Sequence, residues 1–224
     1  MHVLLFDIDG TLLNAGGSGQ AAMEAVLARE FGASGPVEGI PTAGRTDRAI
    51  TRDLFAYYSL PDDEASWNRF HEAYFTELPQ HLSGREGVVL PGVRPLLATL
   101  TERENVTLGL LTGNLARAAR VKLEHFELHS HFGFGGYGDE HADRDDVARQ
   151  ARQEVRRRLP EVPDERIWVI GDTPSDIRCA RAINARVLAV ATGIFRSDEL
   201  SPHQPDVLLE DLSDLAGVLQ SLGL

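Results

Sequence analysis

Two short acidic segments lie far apart in the sequence, and each follows a run of apolar residues. The first is DIDGT at residues 7–11, directly after residues 3–6, and the second is GDTPSD at residues 171–176, after residues 167–170. Carboxylates beside buried strands are costly unless a cation or hydrogen-bond donors meet them. These residue types therefore indicate a site for a hard cation with oxygen ligands and for a phosphate group.

The elements that position these segments alternate between strands and helices after residue 90. Unbroken apolar runs predict strands buried on both faces, and each is followed by a helical pattern. The predicted strands are 3–6, 106–111, 132–134, 167–170, 187–190 and 207–209, and the predicted helices include 115–126, 145–159 and 175–182. This alternation predicts an α/β fold with a Rossmann-like parallel sheet covered by helices.

The segment between the first strand and this alternating region has a different pattern. Residues 19–81 contain three stretches with apolar side chains at helical spacing and no strand between them, and glycine-containing connectors flank them at 16–19 and 83–87. We therefore expect a helical cap domain at 16–87, inserted into a core domain made of 1–15 and 88–224.

In a parallel sheet, ligands bind beyond the carboxyl ends of the strands. Thr112, Gly113 and Asn114 follow the predicted strand 106–111, and Arg144 precedes the long arginine-rich helix. We expect these residues to meet the two acidic segments at one edge of the sheet.

This set of motifs resembles the haloacid dehalogenase superfamily, in its phosphatase branch. The resemblance rests on DIDGT at 7–11, LLTGN at 110–114, Arg144 in the place of the third motif and GDTPSD at 171–176. Within the branch, the helical cap and the GRTD segment at 44–47 are most similar to phosphoglycolate phosphatases. The resemblance implies a Mg2+-dependent phosphatase that acts on a small phosphorylated metabolite.

The resemblance also implies roles for individual residues. Asp7 would be the nucleophile that forms an aspartyl-phosphate, and Asp9 would be the general acid and then the general base. Asp7, the backbone carbonyl of Asp9 and Asp172 would bind Mg2+, and Asp176 would orient its waters and the basic residue. We expect the neighbouring carboxylate and partial burial to favour a protonated Asp9.

The phosphate contacts are predicted at the ends of two strands. The Thr112 side chain and the backbone N–H groups of Gly10, Gly113 and Asn114 would hold phosphate oxygens. Thr112 alone could equally cap the following helix.

Two basic residues are open questions at this stage. The third motif calls for a lysine or arginine, and we favour Arg144 over Lys122, the only lysine in the chain. Arg45 lies where a cap helix should begin and could bind a carboxylate or second phosphate of the substrate. Arg144 and Arg45 could each also be a solvated surface charge.

Composition excludes several classes of protein. The formal net charge of -12 argues against general nucleic-acid binding, which needs a basic face. No apolar run is long enough to span a membrane, and no signal peptide is visible. The single cysteine, Cys179, suits a reducing cytoplasm. We therefore expect a cytoplasmic monomer or homodimer with no membrane partner.

Other functions share parts of the pattern. A sugar-phosphate mutase of the beta-phosphoglucomutase type would have the same core motifs, and a catalytically silent, partner-binding relative also fits. A dehalogenase is disfavoured because attack on carbon does not need Asp9 or the acidic metal ligands. A signalling receiver domain is disfavoured by the long helical insertion and because its acidic pair would lie at the first strand alone.

Overall fold

The computed structural model describes residues 1–33, 35 and 39–224; residues 34 and 36–38, within the predicted cap, lie outside the description. The strands are β1 (His2–Phe6), β2 (Leu13–Asn14), β3 (Val88–Val89), β4 (Val106–Leu111), β5 (Gly135–Gly136), β6 (Ile167–Gly171), β7 (Arg186–Val190) and β8 (Val207–Leu209). The helices are α1 (Ser18–Phe31), α2 (Asp47–Tyr57), α3 (Glu64–Gly84), α4 (Val93–Thr101), α5 (Ala116–His125), α6 (Arg144–Arg158), α7 (Pro174–Ala182), α8 (Ser197–Leu200) and α9 (Leu215–Leu222).

Six of these strands form one sheet in the order β5-β4-β1-β6-β7-β8. Every pair in it is parallel, and β1 lies in the middle between β4 and β6. Parallel strands place their carboxyl ends at the same edge. The residues that follow β1, β4 and β6 therefore meet, which confirms the predicted α/β fold.

Side chains of the sheet alternate between two apolar cores. Leu4 and Phe6 of β1 pack in one cluster with α1, α4 and α5, whereas Val3 and Leu5 pack in the other with α6 and α7. Successive strand residues point to opposite faces, so both faces of the sheet are buried. This double burial is the reason that the strands read as unbroken apolar runs in the sequence.

The predicted strand at 132–134 is wrong, because the strand that pairs with β4 is Gly135–Gly136. Phe132 and Phe134 instead contribute buried rings to the two cores. A side chain at Gly135 would lie 2.8 Å from the Leu110 Cβ, so the close approach of the strands favours glycine there. The apolar pattern of Phe132 and Phe134 therefore reflects packing in the cores beside the strand, and not the strand itself.

The helices between β2 and β3 cover the carboxyl edge of the sheet. β2 and β3 form a small antiparallel ribbon that connects the sheet to α1, α2 and α3. Helix α1 packs along α3, and α3 also contacts α5 of the core. The ribbon lies where the predicted domain boundaries at 15/16 and 87/88 fall, and these boundaries stay a prediction. No helix in the described part of the chain is long and apolar enough to cross a membrane.

Candidate active site

Three aspartates form a buried acidic cluster at the carboxyl edge of the sheet. Asp7 follows β1, Asp172 follows β6, and Asp176 lies in the first turn of α7. One carboxylate oxygen of each of the three lies within 4.8 Å of those of the other two. Asp7 lies 165 residues before Asp172 in the sequence, so the sheet topology brings the two acidic segments together.

Burial changes the acid–base behaviour of this cluster. Desolvation raises the pKa of Asp7 to about 6, against the opposing attraction of Arg144. Desolvation, together with the charges of Asp176 and Asp7, raises the pKa of Asp172 well above its usual value. When these three carboxylates are ionised, the surrounding protein does not fully compensate their negative charge.

Arg144 is the basic residue next to these carboxylates. It is the first residue of α6, and its buried Nη2 lies 2.5 Å from Asp176 Oδ1 and 3.6 Å from Asp7 Oδ1. Burial opposes its charge, but Asp7 and Asp176 outweigh this effect and raise its pKa. A single guanidinium faces three carboxylates, so the residues fit a divalent cation that would supply the remaining charge.

The backbone around Asp172 is shaped to leave room for its carboxylate. Gly10 has a φ of +85°, and a Cβ there would lie 2.3 Å from Asp172 Oδ2; a Cβ on Gly193 would lie 1.7 Å from the same atom. Thr11 Oγ1 donates a hydrogen bond of 3.0 Å to Asp172 Oδ1. The donor set therefore consists of carboxylate oxygens held in a fixed position, as a Mg2+ site requires.

Asp9 is held by a second cation, Lys122. Lys122 Nζ lies 2.6 Å from Asp9 Oδ2 and donates a 2.7 Å hydrogen bond to Asn114 Oδ1, while Asn114 Nδ2 donates to the same Asp9 oxygen at 2.8 Å. Burial works against the Lys122 ammonium, but Asp9 and Asp47 raise its pKa above the usual value. The prediction of a protonated Asp9 rested on the neighbouring carboxylate and on partial burial; the structure adds the Lys122 ammonium as a direct contact of its carboxylate.

Both candidates for the third-motif residue therefore lie in the site. Arg144 contacts Asp7 and Asp176, whereas Lys122 contacts Asp9. The sequence posed a choice between them, and the structure assigns each to a different aspartate. The sequence signal for Lys122 was that it is the only lysine of the chain.

The residues predicted to contact phosphate differ in their exposure to the cavity and in the hydrogen bonds that they already make. Thr112 is fully buried, and its Oγ1 accepts a hydrogen bond of 2.9 Å from Asn114 Nδ2. The Gly10 N–H, predicted to bind phosphate, donates instead to the Leu13 carbonyl at 2.8 Å because the turn after β1 closes on itself. Gly113 borders the cavity, and its backbone carbonyl accepts a 2.7 Å hydrogen bond from the Asp47 N–H.

The start of α2 is docked on the core at this point. Asp47 Oδ2 accepts a 2.9 Å hydrogen bond from the Leu115 N–H, and Thr46 Oγ1 donates to the Ala142 carbonyl at 3.1 Å. Desolvation raises the pKa of the buried Asp47 to about 6, although Lys122 opposes this shift. In the sequence, Asp47 stood out only as part of the GRTD segment and received no role in the site, because a carboxylate at the start of a helix looks like an ordinary helix-capping residue.

Arg45 lines the same cavity but is already bonded. Its Nη2 lies 2.6 Å from Asp53 Oδ2, and its Nη1 donates to the Pro41 carbonyl at 3.0 Å. Its assignment as a substrate contact stays a prediction.

A cavity of about 380 Å³ lies between the carboxyl edge of the sheet and helices α1–α3. Catalytic candidates form its floor, and buried side chains of the helices, including Met23, Ile50, Leu54 and Tyr74, border its other side. Of the residues predicted for the site, the cavity is bordered by Asp7, Asp9, Gly10, Arg45, Gly113, Asn114, Arg144 and Asp172. Thr112 and Asp176 lie behind these residues and contact Asn114 and Arg144.

Comparison with known proteins agrees with this arrangement. A model of the haloacid dehalogenase-like hydrolase family matches residues 4–181. Phosphoglycolate phosphatase from Photorhabdus laumondii is 24% identical over 232 aligned residues, covering 100% of this chain and 93% of that protein. Phosphoglycolate phosphatase from Shigella boydii is 25% identical, covering 98% of this chain and 91% of that protein.

A solved structure has the same architecture. CbbY from Rhodobacter sphaeroides, in complex with phosphate, superimposes with a TM-score of 0.76 at 20% identity, covering 100% of both chains. At this identity the likeness concerns the fold alone. The family match covers well over half of the chain and includes all the acidic and polar motifs described above, and this chain therefore belongs to the haloacid dehalogenase-like hydrolase family.

Proposed function

We propose that this enzyme is a Mg2+-dependent phosphatase that hydrolyses a small phosphorylated metabolite through an aspartyl-phosphate. The observation that carries the proposal is the placement of Asp7 beside Asp172, Asp176 and Arg144, with Asp9 two residues further along the chain. The names of the curated relatives, which are phosphatases, support it.

Asp7 is the nucleophile in this proposal. Its carboxylate attacks phosphorus, the bond to the leaving oxygen breaks, and the phosphoryl group is carried on Asp7. Arg144 orients Asp7 through its position 3.6 Å from Oδ1 and neutralises part of the cluster. Asp7, the Asp9 carbonyl and Asp172 would hold Mg2+, which when bound supplies positive charge for the phosphoryl oxygens.

Asp9 transfers the protons. It donates a proton to the leaving alcohol oxygen and later accepts one from the water that hydrolyses the phosphoenzyme. Lys122 and Asn114 fix the orientation of its Oδ2. The cap helices exclude bulk water while these steps proceed.

A panel of phosphate monoesters tests the proposal. The wild-type enzyme with Mg2+ should release inorganic phosphate, and EDTA or Asp7→Asn should abolish the release, because an amide lacks the attacking charge and a metal ligand. Full activity in EDTA or in the Asn variant would refute the mechanism. Detection of an isomerised phosphate ester in place of free phosphate would identify a mutase instead.

A further inference from the structure

Tyr74 carries an unpaired hydroxyl at the border of the cavity. The residue lies in α3, its side chain is 0% exposed, and its Oη has no hydrogen-bond partner among the described residues. Buried tyrosine hydroxyls normally find a partner, and leaving one unpaired destabilises the fold. Such an orphan is best explained by a partner that arrives with the substrate.

The hydroxyl faces the part of the cavity where a leaving group would lie. A methyl group placed on Gly19 would be 3.5 Å from both the Tyr74 Oη and the Lys122 Nζ, so these two polar atoms flank the same small space. Lys122 in turn contacts Asp9, the proposed proton donor to the leaving oxygen. Tyr74 therefore lies on the Asp9 side of the cavity, where the proposed mechanism places the leaving alcohol.

The charges around this space disfavour a second anion on the substrate. Each cationic side chain among the described cavity residues already has a carboxylate partner, at 2.6 Å for Lys122–Asp9, 2.5 Å for Arg144–Asp176 and 2.6 Å for Arg45–Asp53. The carboxylates of Asp9 and Asp47 border the same cavity. A hydroxyl group can donate to a carboxylate and accept from a phenol, whereas a second anion would be repelled here.

We propose that Tyr74 binds a hydroxyl group of the leaving alcohol, and that the substrate is the monophosphate of an uncharged, hydroxyl-bearing compound of the polyol or sugar class. This inference rests on the proposed phosphatase function and narrows it. Tyr74 is a specificity residue in this account, because a substrate with a hydroxyl group forms the hydrogen bond that the Tyr74 side chain lacks in the free enzyme.

The test compares two substrates that differ in their hydroxyl groups. Glycerol 1-phosphate and n-propyl phosphate share a three-carbon chain, and phosphoglycolate supplies an anionic competitor of similar size. For the wild type, kcat/KM should be highest on glycerol 1-phosphate. Tyr74→Phe should reduce kcat/KM on glycerol 1-phosphate about 3- to 10-fold more than on n-propyl phosphate, as expected for one neutral hydrogen bond.

Tyr58→Phe is the matched control, because the Tyr58 hydroxyl donates to the Gly35 carbonyl away from the cavity. It should leave the ratio between the two substrates unchanged. The melting temperature of Tyr74→Phe should not fall, since the variant removes an unpaired polar group and keeps the ring. A purely structural Tyr74 would instead lower the melting temperature and affect both substrates equally.

A binding measurement separates this inference from the proposed function. Glycerol 1-phosphate should bind to the Asp7→Asn enzyme several-fold more tightly than to Asp7→Asn combined with Tyr74→Phe, as calorimetry without turnover would show. Equal binding, an unchanged substrate ratio, or a preference for phosphoglycolate that Arg45→Ala removes would overturn the inference while leaving the phosphatase function intact. Absence of phosphate release from every ester would instead overturn the proposed function.

Discussion

Replacing Lys122 by methionine tests how Asp9 is positioned. The substitution removes the ammonium that lies 2.6 Å from Asp9 Oδ2 and 2.7 Å from Asn114 Oδ1, and the thioether side chain fills a similar volume. If Asp9 is the general acid, its misplacement should matter most when the leaving group most needs a proton. The expected defect therefore depends on the leaving group.

The magnitude follows from the exposure of the two partners. The Lys122 side chain is 6% exposed, but that of Asp9 is 42% exposed, so water can replace part of the lost contact. The loss of one hydrogen bond between charged groups is worth about 1.5–3 kcal/mol. This corresponds to a decrease of about 10- to 150-fold in kcat/KM, at or below the lower end of the roughly 100- to 10,000-fold that general acid–base catalysis typically contributes, as expected when Asp9 is misplaced and not removed.

The assay compares an alkyl phosphate with para-nitrophenyl phosphate, whose leaving group departs without a proton. Steady-state kcat/KM reports the steps up to release of the leaving group, and so isolates the action of Asp9 as an acid. The full decrease is expected on the alkyl phosphate, with less than about a threefold change on para-nitrophenyl phosphate. Arg120→Met is a suitable control, because Arg120 lies on the same helix and pairs with Glu124 at the surface.

Equal losses on the two substrates would refute this account of Lys122. Such a result would mean that the ammonium acts on the phosphoryl group or on the fold, and not through Asp9. A defect in Arg120→Met of the same size would point to the helix as a whole.

Three further predictions address Asp47, Arg45 and the metal site. Asp47→Asn should gain stability relative to the wild type as the pH rises from about 4 to 7, by about 2–3 kcal/mol in chemical unfolding. The reason is that the raised pKa of Asp47 (about 6) lets its protonated carboxyl stabilise the wild-type fold at low pH, and this contribution is lost as the pH rises through that value. A constant difference in the free energy of unfolding across this range would contradict the assignment. Arg45→Ala should change kcat/KM on glycerol 1-phosphate by less than about threefold and the melting temperature only slightly, since its partly exposed pair with Asp53 is worth about 0–1 kcal/mol; a larger loss in steady-state kinetics would make Arg45 a substrate contact. Gly193→Ala should increase the Mg2+ concentration needed for half-maximal activity, because the new Cβ would displace the Asp172 carboxylate; an unchanged Mg2+ titration would argue against Asp172 as a ligand.

The sheet could be predicted from the sequence because double burial leaves a strong pattern. The predicted strands 106–111 and 207–209 coincide with β4 and β8, and 3–6 and 167–170 differ from β1 and β6 by one residue. The predicted strand 132–134 failed where glycine residues, which carry no hydropathy signal, form the paired segment. Topology then accounts for the meeting of Asp7 with Asp172, since both follow central parallel strands.

Contacts that depend on the direction of a side chain could not be predicted from the sequence. Lys122 lies in the second half of α5, and only the packing of that helix shows that its ammonium reaches Asp9. The same holds for Asp47 and Tyr74, which lie in α2 and α3 and reach the site through the way these helices dock on the sheet. Local patterns determine helices and strands, whereas these contacts depend on the relative placement of whole elements.

The most direct test of the central claim is to identify the residue that carries the phosphoryl group. The enzyme is mixed with Mg2+ and a radiolabelled alkyl phosphate, quenched in acid during turnover, and digested for peptide mapping. The account predicts label on the peptide that contains Asp7, released by neutral hydroxylamine as expected for an acyl phosphate, and no label in Asp7→Asn. Steady phosphate release without a labelled Asp7, or label on any other residue, would contradict it.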